Sequence, residues 1–359
     1  MVYLGVDLHR KRSHVVALGQ GGEELLSRRI DTGPEAFTRV FGELDPWPLE
    51  VAFEATFGWG WFADLLADAG IPAHMAHPLA TKAISSARVK NDTVDARTLA
   101  HLLRTNLLPE AWIAPPEVRD ARRLVRMRTG LVRIRSRLKC QIHAVLAEQG
   151  VPLPVTDLFG QGGRRLLKDL VLPEVSQGRI GANLRLIDAI DAEAAEAERE
   201  IRRRFAHDGR IRRLLPIPGI GFLTAATVTA EAWDISRFPD AARLCSWAGL
   251  TPSERSSAEH TRRGHISKQG SRWLRWVMVE AASSARHDPA LRRFTDPITY
   301  RRGSKIAKVA LARRLLTLCF YALRDEQGCR AYPVAPMSSE ASAKARSPQV
   351  MASSFTAAF

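Results

Sequence analysis

The sequence predicts an α/β layered sheet near its start, then two long helices, then a mostly helical C-terminal region. Up to about residue 110, apolar runs with strand periodicity alternate with segments of helical periodicity. From about Val118 onward, apolar residues recur at spacings of three and four, which is typical of helices that pack together. The chain has 359 residues, 45% hydrophobic and 25% charged, so it has room for two or three globular domains.

The first element is a predicted β-hairpin that contains a carboxylate. Alternating apolar residues flank the basic turn HRKRS, namely Val2, Leu4, Val6 and Leu8 before it and Val15, Val16 and Leu18 after it. Asp7 lies within the first run. Such an acid is either a solvated, outward-facing strand residue or a functional group, and this segment alone favours neither interpretation.

The next elements continue the alternation of strands and helices. A third strand is predicted in GGEELLSRRIDT, and a helix in PEAFTRVFGELDPW, which has Pro34 and Glu35 in its first turn. LEVAFEATFG predicts a strand whose end carries Glu54, GWGWFADLLADAG a helix closed by a glycine, and IPAHMAHP a short strand. The run TKAISSARVKNDTVDARTLAHLLRT is predicted to be helical. A hairpin followed by crossover connections indicates a layered α/β sheet.

Two long helices are predicted to follow, joined by a segment broken by Pro and Gly that begins VPLPVTDLFGQGG. The apolar seam of the first comprises Leu124, Met127, Leu131, Ile134 and Leu138. The seam of the second comprises Ile187, Ile190, Ala194, Ala197 and Ile201. These spacings predict an antiparallel coiled coil or a helical bundle.

Basic residues lie between the apolar positions of the first long helix. They are Arg122, Arg123, Arg126, Arg128, Arg133, Arg135, Arg137 and Lys139. They form either a solvated helix face or a surface that contacts phosphates. The charge of the whole protein favours phosphate contact, and the predicted nucleic-acid contacts on this helix are Arg123, Arg126, Arg133 and Arg137.

Composition points to a polyanionic partner. The chain has 53 Lys and Arg against 38 Asp and Glu, a formal net charge of +15. Such an excess attracts nucleic acid first and an anionic membrane second. Membrane association is not expected, because the most apolar candidate, KIAKVALARRLLTLCFYAL, is interrupted by Lys308, Arg313 and Arg314.

Cysteine usage and the N-terminus predict a cytoplasmic protein. Cys140, Cys245, Cys319 and Cys329 are scattered without a CxxC pair, which argues against a disulfide framework and against a zinc site. No signal peptide is expected, because the chain opens directly on a strand with acids and bases.

A Pro- and Gly-containing step, LPIPGIG, joins two helical runs of the third region. In a helix-hairpin-helix element, Gly219 and Gly221 would permit the tight turn and expose backbone N–H groups to a phosphate. An ordinary turn between helices would use the same residue types. The tail from about Ala331, rich in Ser, Ala and Pro, is expected to be disordered.

Four carboxylates form the candidate metal site. Asp92 and Asp95 are three residues apart on a predicted helix, so both project from one face. If that helix packs across the sheet, they can meet Asp7 and Glu54, and four oxygen ligands suit one or two Mg²⁺ ions. Taken singly, Glu54 could be a surface residue at a strand end, and Asp92 could be a helix N-cap.

These motifs resemble a known family. The D…E…DxxD set, the opening segment VYLGVDLHRKRSHVVAL, the motif KNDTVDARTLA and the block GLTPSERSSAEHTRRGHISKQGSRWLR are similar to those of the DEDD transposases of bacterial insertion sequences, also called bridge recombinases. The resemblance implies an RNase H-like (RuvC-like) domain over residues 1–115, a coiled-coil module over 116–208, a serine-bearing transposase domain over 209–328 and a tail over 329–359.

The resemblance also implies a function and its partners. It implies strand cleavage and exchange on double-stranded DNA, at element ends and target, with Mg²⁺ or its substitute Mn²⁺ held by the four acids. It implies a structured noncoding guide RNA and a homo-oligomer, a dimer or a tetramer, in the bacterial cytoplasm near the nucleoid. The sequence does not show whether the acids and the serine of one active site come from the same subunit or from two subunits.

The block SERSSAEHTRRGHISKQGSRWLR carries the implied nucleophile. A serine hydroxyl is a poor nucleophile unless a base or a metal activates it, so a Ser-rich basic loop alone is weak evidence for catalysis. By resemblance, Ser257 is the nucleophile that forms a phosphoserine link, with Ser256 as the alternative. Ala258 stands where the family usually has glycine. The predicted DNA-binding surface around the serine comprises Arg262, Arg263, Lys268 and Arg275, together with Gly270.

Two other functions remain open at this stage. A metal-only nuclease of the RuvC type, such as a junction resolvase, would use the four acids with water as nucleophile, and Ser257 would be structural. A non-catalytic nucleic-acid-binding protein would carry the same acids as surface residues. The first predicts cleavage that survives Ser257→Ala, and the second predicts no effect of Asp92→Ala on any activity.

Overall fold

The computed structural model describes residues 1–84, 91–257, 260–325, 328–329 and 332–333. The chain divides into two compact units, Met1–Arg119 and a second unit that begins at Asp120. The tail predicted to be disordered lies, apart from residues 332–333, outside the described residues. No described helix combines the length and the apolar character that crossing a bilayer requires.

The first unit contains a six-stranded sheet with strand order β3-β2-β1-β4-β5-β6. Its strands are β1 (Val2–Asp7), β2 (Arg12–Leu18), β3 (Glu24–Asp31), β4 (Leu49–Glu54), β5 (Ala73–Ala76) and β6 (Glu110–Ala111). Strands β1, β2 and β3 are antiparallel neighbours, whereas β4 lies parallel to β1 and β5 parallel to β4. The first five strands lie in the segments that the sequence predicts to be strands, and the two-residue β6 was not predicted.

Four helices accompany this sheet, namely α1 (Pro34–Leu44), α2 (Trp59–Asp68), α3 (Pro78–Ile84) and α4 (Asp92–Arg104). The single helical run predicted over residues 81–105 consists, in the described residues, of the end of α3 and the whole of α4. Asn91 explains the second start, because its side-chain oxygen accepts a hydrogen bond from the backbone N–H of Val94.

Helices cover both faces of the sheet. Leu4 and Val6 of β1 share one apolar cluster with Phe37 of α1 and Phe62 of α2, whose rings are 4.5 Å apart. Residues of the opposite face pack against α4 in two smaller clusters, which join Val16 and Ala52 of the sheet to the helix. The result is a three-layer α/β unit with alternate residues of each strand facing opposite layers.

Gly5 lets α4 approach the sheet closely. A Cβ atom on Gly5 would lie 1.9 Å from the carbonyl oxygen of Ala96 and 2.7 Å from the backbone nitrogen of Ala100. Both atoms belong to the helix backbone, so a side chain here would push the helix away. Residues at alternate positions of a strand share a face, and therefore Asp7 lies on the same side of the sheet as α4.

Two long helices begin the second part of the chain. Helix α5 (Pro116–Glu148) and helix α7 (Glu174–Arg204) flank the short α6 (Gln161–Asp169). Arg128 pairs with Glu198, Arg135 with Asp191, and Arg179 with Glu148. Because the partner number falls along α7 as the residue number rises along α5, the two helices are antiparallel.

The buried faces of these helices differ in how well they were predicted. Of the seam predicted for α7, Ile187, Ala194, Ala197 and Ile201 are buried. In α5, Leu124 and Leu138 of the predicted seam are half-buried against core clusters, but Met127 and Ile134 are 53% and 52% exposed, so the predicted seam is only partly the buried face. The buried positions of α5 are Val118, Arg119, Ala121, Val125, Thr129, Ile142, Val145 and Leu146. Arg128 and Arg135, between these buried positions, reach across to acids of α7.

The remainder of the second unit is mostly helical, as predicted. Its helices are α8 (Gly209–Leu214), α9 (Phe222–Ala232), a 3₁₀ turn (Ile235–Arg237), α10 (Ala241–Trp247), α11 (Arg272–Ala285), α12 (Pro289–Arg302) and α13 (Ser304–Arg324). Its strands form the hairpin β7 (Pro252–Ser257) and β8 (His260–Ile266) and the short pair β9 (Gly328–Cys329) and β10 (Tyr332–Pro333). The largest core cluster joins residues of α9, α11 and α13.

The contact at Gly5 gives a first prediction. Gly5→Ala is expected to lower the free energy of unfolding by roughly 1–3 kcal/mol, because the new methyl group displaces α4 from the sheet. Gly42→Ala is the matched control, since Gly42 lies in α1 and a Cβ atom there would have no neighbour within 4 Å outside its own helix backbone. Alanine there should stabilise the protein by up to about 1 kcal/mol. Urea denaturation of the full chain measures both; equal effects would contradict the close approach of α4.

Candidate active site

Two of the predicted acids lie side by side at the carboxyl ends of two neighbouring parallel strands. Strands β1 and β4 are parallel, and Val6 is the register partner of Phe53. The next residue on each strand is therefore Asp7 and Glu54, and neighbouring residues in register face the same side of a sheet. Asp7 is 7% exposed and Glu54 is half-buried. The interpretation of Asp7 as a solvated, outward-facing residue is wrong.

The other two acids occupy the first turn of α4. Asn91 caps the helix, so Asp92 is its first residue, and the alternative that Asp92 is itself the N-cap is wrong. Asp92 and Asp95 stand at the helix N-terminus, where the partial positive charge of the helix dipole favours carboxylates. Because α4 packs over Gly5, this terminus is directed toward the end of β1.

His9 joins the acids and was not selected from the sequence. Its Nε2 lies 3.1 Å from Oδ2 of Asp7 and 3.9 Å from Oδ1 of Asp92. Among the described residues, one ligand atom from each of these three side chains falls within 4.8 Å of the others, and Glu54 and Asp95 stand outside this group. The sequence signal that could have identified His9 is its position two residues after Asp7. The sequence pattern instead predicts that His9 lies in the basic turn HRKRS.

The electrostatics of the cluster favour a cation. Burial raises the pKa of Asp7 above its ordinary value, and the negative charges of Asp92 and Asp95 raise it further, whereas His9 opposes the shift. A desolvated carboxylate beside two more acids is unfavourable unless a positive charge compensates it. Carboxylate oxygens at this spacing are the ligands that Mg²⁺ and Mn²⁺ prefer, so the residues present fit a divalent ion.

The predicted serine lies on a β-hairpin. Ser257 is the last residue of β7 and its register partner is His260, while Ser256 pairs with Thr261. Ala258 lies outside the described residues, as do the side chains of residues 255–263. The side chains of Ser256, Ser257, Arg262 and Arg263 therefore remain sequence predictions, and the structure supplies their backbone positions.

Three backbone hydrogen bonds join the segment after β8 to the segment that runs from the end of α10 to the start of β7. Ser267 donates to Thr251, Lys268 to Gly249 and Ser271 to Trp247. A Cβ on Gly270, whose φ is +92°, would lie 1.9 Å from the carbonyl oxygen of Trp247. This close crossing of two backbone segments requires glycine at position 270.

A buried carboxylate supports the same region. Glu231 of α9 is 0% exposed and accepts from Arg126 of α5 at 2.6 and 2.9 Å. The Oγ of Ser271, which caps α11, also donates to Glu231, at 3.0 Å. Arg122 donates to the carbonyl oxygens of Ala230 and Glu231. These bonds connect α5, α9 and α11, and Arg126 therefore has an intramolecular partner in addition to its predicted role toward nucleic acid.

The other predicted contact residues on α5 have varied surroundings. Arg123 is exposed and pairs with Asp120 at 2.6 Å. The guanidinium of Arg133 lies 5.9 Å from the ring centre of Trp273. Arg137 is exposed. Their contacts with nucleic acid stay predictions.

For the predicted residues outside α5, contact with nucleic acid likewise remains a prediction. Lys268 is exposed with a φ of +54°, and Arg275 donates to the carbonyl oxygen of Ala248 at 3.0 Å. Gly221 is the N-cap residue of α9. Gly219 has a φ of +79°, and its Cβ would lie 2.5 Å from the carbonyl oxygen of Ala281. Packing against α11 thus requires Gly219, whether or not the turn binds a phosphate.

A mixed sheet covered by helices, with acids at strand ends and in the first turn of the adjoining helix, is consistent with a domain of the DEDD, RNase H-like class. Two family models match the chain. A DEDD transposase model of the IS110 type matches residues 4–150, and a model described as the transposase IS116/IS110/IS902 family matches residues 211–296. Over these two stretches the chain is similar to insertion-sequence transposases of the IS110 type.

Full-length relatives agree with these matches. The chain is 26% identical over 341 residues to a probable family 20 transposase of Pseudomonas aeruginosa, an alignment that covers 91% of this chain and 97% of the relative. It is 25% identical over 328 residues to the transposase for insertion sequence element IS1111A of Coxiella burnetii, covering 87% and 86%. With the transposase for IS1328 of Yersinia enterocolitica it shares 26% identity, covering 78% and 82%.

The Glu231 network gives a second prediction. Arg126→Ala is expected to lower the free energy of unfolding by about 3 kcal/mol, because it leaves a buried carboxylate without its cation. Arg199→Ala is the matched control on α7, since Arg199 pairs with Glu196 and both side chains are largely exposed. Loss of such a surface pair should change stability by less than about 1 kcal/mol. Similar losses in urea denaturation of the two variants would show that Glu231 does not depend on Arg126.

Proposed function

We propose that this transposase cleaves and exchanges DNA strands through a covalent phosphoserine intermediate formed by Ser257, with a divalent ion held by the DEDD acids. The observation that carries the proposal is the convergence of Asp7 and Asp92 where β1 ends and α4 begins, in a chain that matches two transposase family models. A DNA-cutting enzyme needs both a source of positive charge at the phosphate and a nucleophile.

Asp7, Glu54, Asp92 and Asp95 would hold Mg²⁺, with Mn²⁺ as a substitute. When bound, the ion supplies Lewis-acid stabilisation of the charge that develops at the scissile phosphate. The protein contributes the position of the ligands, because β1, β4 and the N-terminus of α4 are packed elements rather than loops. The buried Asp7 gives the site its least solvated oxygen donor.

Ser257 would be the nucleophile. Its Oγ loses a proton and forms a bond to phosphorus, while the bond from phosphorus to the 3′ oxygen breaks and the freed 3′ hydroxyl takes up a proton. A 3′ hydroxyl of a partner strand then attacks the phosphoserine, and Oγ is released with a proton. Each step exchanges one phosphoester bond for another, so the reaction needs no nucleotide cofactor.

Nucleic-acid binding would draw on the basic character of the chain. A net charge of +15 favours association with DNA and RNA backbones. Arg262, Arg263 and Lys268, on or beside the hairpin, would contact phosphates near the serine. By family resemblance, a structured noncoding RNA selects the DNA sequence, and the protein acts as a homo-oligomer.

The third prediction tests the nucleophile. Purified protein is incubated with Mg²⁺, the noncoding RNA that flanks its element and labelled DNA carrying the element ends, and a denaturing gel is searched for a protease-sensitive protein–DNA adduct. The adduct is expected in the wild type and in Ser256→Ala, and its loss is expected in Ser257→Ala and in Asp92→Asn. Ser256→Ala is the matched control, because it removes the neighbouring hydroxyl on the same strand.

The other outcomes separate the alternatives. Free cleaved DNA without an adduct, unchanged in Ser257→Ala and lost in Asp92→Asn, would replace the serine mechanism with a metal-only nuclease that uses water. Binding without cleavage in any preparation, unaffected by Asp92→Asn, would indicate a nucleic-acid-binding protein without catalytic acids.

The fourth prediction concerns stability and metal. Asp7→Asn should raise the free energy of unfolding of the metal-free protein by about 1 kcal/mol, because it removes a desolvated charge from among other acids. At 100 times its Kd, Mg²⁺ should stabilise the wild type by about 2.7 kcal/mol, and EDTA should reverse this gain. Asp7→Asn should lack the gain, and Asp31→Asn, at an exposed strand end, should keep it. Equal Mg²⁺ effects in both variants would contradict the site.

A further inference from the structure

We propose that His9 is a nitrogen ligand of the divalent ion and that it gives this site a preference for Mn²⁺ over Mg²⁺. The inference rests on the proposed function of Asp7 and Asp92 as metal ligands. It adds a residue outside the DEDD set and a metal selectivity that the four carboxylates alone would not produce.

The spacing of the atoms fits adjacent ligands. An octahedral ion with bonds of about 2.1 Å places neighbouring ligand atoms about 3 Å apart. Nε2 of His9 is 3.1 Å from Oδ2 of Asp7, which is this spacing, and 3.9 Å from Oδ1 of Asp92. The side chain of Asp92 is 50% exposed, so it has room to adjust toward a shared ion.

The peptide group that joins Leu8 to His9 is anchored at both its N–H and its carbonyl oxygen. Its N–H donates to Oγ of Ser13, a fully buried residue whose hydroxyl is also 2.7 Å from that of Thr32. The carbonyl oxygen of the preceding Leu8 accepts from Thr56. The start of the turn after β1 is therefore held in place, while the side chain of His9 is 55% exposed and open to an ion that arrives from solvent.

A second histidine nearby has different surroundings. His14 is the register partner of Asp7 on β2, but its Nδ1 lies 3.5 Å from the hydroxyl of Thr93 and its Nε2 lies 3.5 Å from that of Ser27. Both nitrogens therefore face hydroxyl groups, whereas Nε2 of His9 faces two carboxylates. His14 serves as the matched control for any effect of removing an imidazole from this end of the sheet.

Ligand chemistry gives the expected selectivity. Mg²⁺ binds through oxygen and retains several waters, whereas an imidazole nitrogen favours first-row transition metals. Adding His9 to a carboxylate set should therefore strengthen Mn²⁺ binding more than Mg²⁺ binding. If His9 instead acts only as a hydrogen-bond donor to Asp7, its nitrogen would not contact the ion.

The fifth prediction is a direct measurement on the full-length protein without nucleic acid. Pulsed electron paramagnetic resonance of bound Mn²⁺ should show coupling to a ¹⁴N nucleus in the wild type and in His14→Ala, and none in His9→Ala. In titrations, His9→Ala should weaken Mn²⁺ binding by roughly tenfold or more, and it should weaken Mg²⁺ binding less.

The outcomes distinguish this inference from the proposed function. Mn²⁺ that binds the wild type in an Asp7-dependent manner without ¹⁴N coupling overturns the role of His9 and leaves the metal site intact. Coupling that disappears in His14→Ala but survives in His9→Ala also overturns it. Mn²⁺ binding that is unaffected by Asp7→Asn would overturn the proposed metal site itself, and the His9 inference with it. The wild-type spectrum decides the question even if a variant folds poorly.

Discussion

The close packing of α4 on β1 is the contact on which the candidate site depends. Without a side chain on Gly5, the backbone of α4 at Ala96 can rest directly on the strand, and this distance sets where the helix N-terminus lies. Asn91 then fixes which residue begins the helix. Together these two residues bring Asp92 to the end of the strand that carries Asp7. Neither residue takes part in the proposed chemistry, yet both determine its geometry.

The clustered acids destabilise the folded state when no cation is bound, and packing elsewhere in the first unit must compensate for this cost. Burial and neighbouring acids both raise the pKa of Asp7, so in the absence of a cation the folded state holds an unfavourable charge. The helix N-terminus and His9 offset part of this effect. The opposite face of the sheet supplies the compensating free energy, because its apolar residues pack against the aromatic side chains of α1 and α2.

Much of the first unit could be predicted because strand periodicity is local. Asp7 and Glu54 could be placed together, since parallel strands bring their carboxyl ends to one edge. The position of His9 could not be predicted, because it depends on a hydrogen bond from its backbone to Ser13 and not on strand periodicity. The seam of α5 was only partly right for a related reason: the apolar residues of this helix lie on two faces, and which face is buried depends on what packs there. Ser257 was identified by resemblance alone.

The arginines of α5 show why composition predicts a partner but not a surface. Arg126 and Glu231 are separated by 105 positions in the sequence, so no local pattern indicates that they pair. Arg128 and Arg135 likewise pair with acids of α7. Each such pair adds nothing to the net charge, so the excess of +15 must lie on other basic residues. The net positive charge, and the long-range field by which it attracts a polyanion, is unchanged by this pairing. Contacts with phosphate, however, are made by cations that the fold leaves exposed.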